Sequence, residues 1–168
     1  MGDGSAMRTS PVGFFYNSAS EVLKAAKACA EVTHNHPYGI RGAQVVSFCI
    51  FLARNGAEKE EVRTEISQWF NYDLSQSLEE IRPNYFFDVS CQGSVPQSII
   101  AFLESDNYED AVRKAISLGG DADTMACIAG GIAEAFYKDI PELIRKETND
   151  RLPDEFHQII DEFYQAIK

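Results

Sequence analysis

The chain has 168 residues, 45% of them hydrophobic, and a formal net charge of −11 at pH 7. This length and apolar content indicate one folded domain with its own core, and they exclude a disordered chain. The acidic balance argues against nucleic acid or an anionic membrane as a partner.

The cysteines bear on the cellular compartment. None of the four cysteines belongs to a CxxC pair, and most lie in apolar helical stretches, where a free thiol behaves as a small hydrophobe. We expect no signal peptide, and the longest strongly apolar stretch, residues 45–53, is too short to span a bilayer. These patterns predict reduced thiols and a cytoplasmic location.

The first thirteen residues are rich in glycine and serine and are predicted to form a loop. Such a segment can present backbone N–H groups to a phosphate. The alternative is a frayed terminus, where glycine and serine usually collect, and composition alone favours it.

Helical spacing of apolar residues runs through the rest of the chain. Ser20 is the expected N-cap of the first long helix, and Pro96 is expected in the first turn of a helix that starts near residue 94. Residues 85–93 are expected to form a loop over the core, with Cys91 as a structural or exposed thiol. The predicted helices cover residues 21–33, 39–55, 58–69, 78–81, 94–103, 107–118, 125–137, a short stretch after 141, and 154–167.

This pattern predicts an all-α fold, a single multi-helix domain over residues 1–168 with orthogonal or antiparallel packing. Residues 45–52 are apolar nearly all round, which indicates a helix that is buried on most sides. The last helix carries an apolar stripe composed of Phe156, Ile159, Ile160, Phe163 and Ile167.

The most informative stretch is residues 119–124, with the sequence GGDADT, followed by an apolar helical run. Asp121, Asp123 and Thr124 supply hard oxygen donors, which suit Mg²⁺ or Mn²⁺ better than zinc. The alternative is a plain helix N-terminus, because aspartate is a preferred N-cap and acids in the first turn complement the helix dipole. The spacing alone leaves both interpretations open.

His34 and His36 form an HxH pair near the end of the first long helix. Zinc on this pair is disfavoured, because no third ligand stands nearby in the sequence. The alternative is that His34 caps the helix C-terminus and donates a hydrogen bond to a carbonyl group. No GxSxG or GxxxxGK[ST] motif is present, so no nucleophile is identified.

Three ordered segments resemble the ADP-ribosylglycohydrolase family. Residues 119–124 resemble its GGDxDT metal motif, residues 4–13 resemble its GxxMRxxPxG segment, and residues 33–43 resemble its third element. The resemblance covers essentially the whole chain. It implies an all-α fold in which two Mg²⁺ or Mn²⁺ ions stand at the mouth of a cleft for ADP-ribose, whose bond from the anomeric carbon to a modified side chain is hydrolysed.

The resemblance also assigns site residues in this sequence. It implies that the metal ligands include Asp121, Asp123 and Thr124. It implies that the ligand-binding residues are Gly4, Ser5 and His34, with Gly4 and Ser5 toward the phosphates and His34 lining the ribose-phosphate pocket. Oriented N–H groups and metal ions can hold a diphosphate even in an acidic protein.

The sequence departs from the family pattern in one respect. The family has an N-terminal part with a GDxxG-type opening and a Thr-Asp-Asp triplet, and this sequence contains no Thr-Asp-Asp. We therefore expect the chain to correspond to the C-terminal half of such a hydrolase, lacking the N-terminal part, with the catalytic residues in that part. The expected partner is ADP-ribose or an ADP-ribosylated substrate, together with a second copy of the chain or a complementing N-terminal fragment.

Two functional hypotheses follow. The first is a Mg²⁺- or Mn²⁺-dependent ADP-ribosyl hydrolase, which the three ordered motifs favour. The second is a non-catalytic module that binds ADP-ribose or metal, or serves as a structural helical domain, which the absent ligands favour.

Overall fold

The computed structural model describes residues 2–167, so residues 1 and 168 of the predicted domain lie outside it. The described part contains no β-strand, only an isolated bridge between Gly2 and Ser90. This confirms the all-α prediction. A 3₁₀ turn covers Arg82–Asn84. The α-helices are α1 (Gly4–Met7), α2 (Ser10–Phe15), α3 (Ala19–His34), α4 (Pro37–Arg54), α5 (Lys59–Phe70), α6 (Leu78–Ile81), α7 (Cys91–Leu103), α8 (Tyr108–Ser117), α9 (Ala122–Tyr137), α10 (Glu142–Asn149) and α11 (Asp154–Ala166).

The core is built around α4 and α9. Helix α4 packs against α1, α2, α3, α5, α7 and α9, and α9 in turn packs against α7 and α8. Residues 45–50 of α4 are all buried, which confirms the prediction of a helix that is apolar on most faces. No helix within residues 2–167 is both long enough and apolar enough to cross a bilayer.

The prediction of a loop over the first thirteen residues is wrong. Helices α1 and α2 occupy this segment, and Ser5, Ala6 and Thr9 are buried. The Ser47 hydroxyl on α4 donates to the Thr9 carbonyl at 3.1 Å, which satisfies a polar group at this contact. Gly13 allows α2 to approach α4 so closely that a Cβ atom there would lie 2.5 Å from the Ser47 carbonyl oxygen. Tertiary contact with α4 therefore overrides the local composition.

The capping residues of α3 and α7 differ from the sequence-based expectation. Helix α3 is capped by Ser18, whose hydroxyl accepts a hydrogen bond from the Glu21 N–H, and Ser20 lies inside the helix. Helix α7 begins at Cys91, with Ser90 as its N-cap, so Pro96 lies inside the helix. Cys91 is consequently a fully buried thiol at the start of a helix.

The C-terminal helices lie on the outside of the core. Neither α10 nor α11 contributes a buried residue. The apolar stripe predicted for the last helix is present, but Ile159 is 60% exposed and Phe156 is 46% exposed. The stripe thus forms a surface of α11 in the described chain.

Candidate functional site

A tight turn leads into α9 and positions the acidic motif. Gly119 and Gly120 adopt φ values of 79° and 69°, in the left-handed region that favours glycine. The Tyr85 ring lies against Gly120, where a Cβ atom would come within 2.7 Å of its Cε1 atom. Asp121 then takes the N-cap position of α9, but its side chain makes no capping hydrogen bond. The Asp121 carboxylate therefore does not cap α9 and remains available to other groups.

The Asp121 and Asp123 carboxyl groups lie within hydrogen-bonding contact of each other. Partial burial, together with the contact to Asp123 and the negative charge of Asp3, raises the pKa of Asp121 to about 6. The hydrogen bond from Asp121 and the Thr124 N–H, which donates to Asp123 Oδ1 at 2.9 Å, lower the pKa of Asp123. The two carboxyl groups are thus close enough to titrate together, as expected where negative charges crowd.

Asp3 is a third carboxylate near this pair, and it is not among the site residues predicted from the sequence. It is 5% exposed, and the Ser94 hydroxyl on α7 lies 2.6 Å from its Oδ2 atom as a donor. Its N–H donates to the Val89 carbonyl at 2.9 Å. The sequence signal that could have identified Asp3 is its position directly before Gly4, the first residue of the GxxMRxxPxG segment.

Thr124 lies where α9 meets α1. Its side chain is nearly buried, with 6% of the residue exposed, and Oγ1 lies 3.6 Å from the sulfur of Met7. One turn further along α9, the Cys127 thiol donates to the Met7 carbonyl at 3.5 Å. Met7 therefore connects the acidic motif to the segment that carries Gly4 and Ser5.

The predicted ligand-binding residues lie on α1 and at the end of α3. The His34 ring lies beside Gly4, with Nε2 3.5 Å from the position of a Cβ atom on that glycine. The Ser5 hydroxyl is fully buried and donates to the Gly39 carbonyl at 2.9 Å. A phosphate contact by this hydroxyl would require that bond to be exchanged.

The HxH pair does not act as a unit. The His34 Nδ1 atom lies 2.7 Å from the Thr33 hydroxyl, whereas His36 caps α4 by accepting from the Tyr38 N–H at 3.2 Å. His34 is the last residue of α3, but its ring makes no hydrogen bond to a carbonyl group of residues 2–167. The two histidines thus have different surroundings: His34 lies beside Gly4, and His36 caps α4.

The donor set at the start of α9 fits part of a divalent-cation sphere. Mg²⁺ takes six oxygen ligands, often one or two carboxylates and several waters. Asp121 and Asp123 offer a crowded carboxylate pair, and the Thr124 hydroxyl is adjacent. Residues 2–167 contain no group of three or more His, Cys, Asp or Glu side chains arranged to hold a metal ion. Any cation here would need additional ligands.

A cavity of about 660 Å³ lies at the opposite end of α9, beside Glu134 and Lys138. The rise of an α-helix places that end roughly 24 Å from Asp121. This cavity is therefore separate from the acidic motif.

Known relatives match both the sequence and the fold. The sequence model of the ADP-ribosylglycohydrolase family matches residues 1–168. The chain is 29% identical to the ADP-ribosylhydrolase ARH3 of Gallus gallus, over 81% of this chain and 49% of that protein. It is 30% identical to the ADP-ribosylarginine hydrolase Tri1 of Pseudomonas putida, over 81% of this chain and 38% of that protein.

A solved structure described as an ADP-ribosylglycohydrolase-related protein complex superposes with a TM-score of 0.68 at 25% identity, covering 84% of this chain and 52% of that chain. The chain thus spans about half the length of the curated relatives it matches. The match of the family model over the whole sequence is the decisive observation. The chain belongs to the ADP-ribosylglycohydrolase family.

Proposed function

We propose that this chain forms the metal- and ADP-ribose-binding part of a hydrolase that removes ADP-ribose from a modified side chain or a related ADP-ribosyl compound. Family membership supports the reaction class. The observation that carries the proposal is the close approach of the Asp121 and Asp123 carboxyl groups at the start of α9. A divalent cation would neutralise this crowded negative charge.

In this proposal the metal ligands lie at the start of α9, and the ADP-ribose contacts lie on α1 and at the end of α3. Asp121, Asp123 and the Thr124 hydroxyl would hold Mg²⁺ or Mn²⁺, which would supply Lewis-acid polarisation and neutralise phosphate charge. Gly4 and His34 would face the ligand together, because the His34 ring lies beside Gly4. The buried Asp3 carboxylate keeps the local field negative, which favours a cation.

The competing function is a non-catalytic module. It is favoured by the donor count, because residues 2–167 hold no group of three or more His, Cys, Asp or Glu side chains that could hold a metal ion. A structural module predicts that Asp121→Ala leaves metal affinity and ADP-ribose affinity nearly unchanged. The metal-binding proposal predicts a large loss of both.

A calorimetric titration separates these functions. Mn²⁺ is titrated into the 168-residue chain first, and ADP-ribose is then titrated in the presence and absence of the metal. The proposal expects metal-dependent ADP-ribose binding, and it expects Asp123→Ala to weaken Mn²⁺ binding at least tenfold, because half of the carboxylate pair is removed.

The matched control is Asp139→Ala, which removes an exposed carboxylate just beyond the far end of α9. It should titrate like the unmodified protein. Equal Mn²⁺ affinity in the Asp123→Ala and Asp139→Ala variants would refute the assignment of the metal ligands, and the module hypothesis would then be preferred.

A further inference from the structure

A row of side-chain hydrogen bonds links Arg8, Thr33 and His34, next to the predicted ligand-binding residue Gly4. Arg8 Nη2 donates to the Thr33 hydroxyl oxygen at 2.5 Å and to the Cys29 carbonyl at 2.9 Å. The same hydroxyl oxygen lies 2.7 Å from His34 Nδ1. Helix α3 contributes Thr33 and His34, and Arg8 follows directly after α1. These hydrogen bonds thus connect the end of α3 to the end of α1.

The chemistry of these groups limits the direction of each proton. A guanidinium group can only donate, so Arg8 makes Thr33 Oγ1 an acceptor. The oxygen keeps a second lone pair, so two arrangements with His34 exist: Oγ1 accepts from Nδ1–H, or the hydroxyl donates to a bare Nδ1. The second arrangement uses the Thr33 proton within the protein, and a neutral His34 ring then carries its own proton on Nε2.

The Nε2 atom is directed at the glycine segment. It lies 3.5 Å from the position of a Cβ atom on Gly4 and 3.6 Å from that on Gly2. It makes no hydrogen bond to any of residues 2–167, and His34 is half-buried. In the tautomer with the proton on Nε2, His34 therefore has an N–H donor without a protein partner beside Gly4, one of the predicted ligand-binding residues.

We propose that Arg8 and Thr33 are positioning residues, which fix His34 as the Nε2–H tautomer so that its ring donates a hydrogen bond to an oxygen of ADP-ribose beside Gly4. The identity of the ligand rests on the proposed function. The tautomer does not, because it concerns only hydrogen bonds within the protein.

The tautomer is tested by long-range ¹⁵N–¹H correlation spectra of the His34 ring near neutral or slightly basic pH. The protein has three histidines, and the spectrum of His34→Gln identifies the signals of His34 by their loss. The wild-type ring should show the Nε2–H pattern with Nδ1 as a hydrogen-bonded acceptor. Thr33→Val keeps the branched shape but removes the hydroxyl, and it should narrow the separation of the two ring ¹⁵N shifts. Thr33→Ser should restore the wild-type pattern.

Binding is then measured by titrating ADP-ribose with Mn²⁺ present. Thr33→Val should weaken the affinity about threefold to fivefold, the loss expected for one partly exposed hydrogen bond. Arg8→Met should also weaken the affinity. Without the donor from Arg8, Thr33 Oγ1 can more readily accept a hydrogen bond from His34 Nδ1–H in place of donating to Nδ1. The matched control is Thr64→Val on α5, which removes a hydroxyl bonded only to the Glu60 carbonyl of its own helix.

Each outcome bears on the proposal. An Nδ1–H pattern in the wild-type protein, or an unchanged pattern in Thr33→Val, would overturn the positioning role. An altered pattern with unchanged ADP-ribose affinity would overturn the donation to the ligand. If the wild-type chain binds no ADP-ribose, the proposed function fails, while the spectra still decide the tautomer.

Discussion

Replacing Asp121 by asparagine should make the metal-free protein more stable at basic pH and at the same time weaken its affinity for divalent cations. Crowding by Asp123 and Asp3, together with partial burial, raises the pKa of Asp121 from 3.8 to about 6. Ionised Asp121 is therefore unfavourable in the folded protein. Asparagine removes this charge, and no capping hydrogen bond is lost, because the Asp121 side chain makes none.

The magnitude follows from proton linkage. A pKa rise of about two units, at about 1.4 kcal/mol for each unit, sets a ceiling of about 3 kcal/mol. The lowered pKa of Asp123 belongs to the same shared proton and offsets part of this amount, as does access of solvent to the pair. We expect Asp121→Asn to raise the free energy of unfolding by about 1–2 kcal/mol above the pKa of the folded state.

The sign depends on which state holds the proton. Between about pH 4 and pH 6 the folded protein keeps a proton that the unfolded chain has released, so wild-type stability falls as the pH rises through this window. The variant lacks this dependence. Its advantage should be small below about pH 4 and complete above about pH 6.

Urea unfolding with a chelator present, at about pH 4 and about pH 8, measures this difference. Asp139→Asn serves as the control and should follow the wild type at both pH values. Adding Mg²⁺ should then stabilise the wild type and not Asp121→Asn, because a cation that binds the folded state shifts unfolding by mass action. An Asp121→Asn variant that is less stable than the wild type at about pH 8 without metal would refute the crowding argument.

Two further predictions concern packing and thiol accessibility. Gly13→Ala should lower the free energy of unfolding by about 3 kcal/mol, because the new Cβ atom would lie 2.5 Å from the Ser47 carbonyl oxygen. Gly130→Ala, whose Cβ atom meets nothing closer than 3.4 Å, should stay within about 1 kcal/mol of the wild type in the same urea titration. Iodoacetamide should label exposed Cys127 in the folded protein well before buried Cys49, because the two thiols differ in accessibility while burial raises the pKa of both. Equal labelling rates, read by peptide mass spectrometry, would contradict the packing of α4.

Most of the helix predictions rest on local sequence signals, namely apolar spacing and capping residues. Helix α5 was expected at residues 58–69 and α8 from residue 107, and both start close to those positions. Apolar spacing and capping residues act within one or two turns, so they can be recognised in the sequence. The GGDADT motif is equally local, and its glycines do adopt the left-handed conformation that a tight turn requires.

Signals that depend on distant contacts were missed. The segment before residue 14 looks like a loop because its glycines and serines disfavour an isolated helix. It folds as α1 and α2 because Gly13 and Thr9 pack closely against Ser47 on α4. No property of the segment by itself reveals that partner, which lies more than thirty residues further along the chain.

The sequence by itself determined the helical class, the acidic motif and the family resemblance, because helical spacing and each single motif segment depend on residues that are near one another in the chain. Tertiary structure alone decided that Asp3 is buried near Asp121 and that the His34 ring lies over Gly4. These pairs join residues that are far apart in sequence. Only the packing of α1 between α3 and α9 brings them together, since burial of its apolar and small side chains fixes where each polar group must lie.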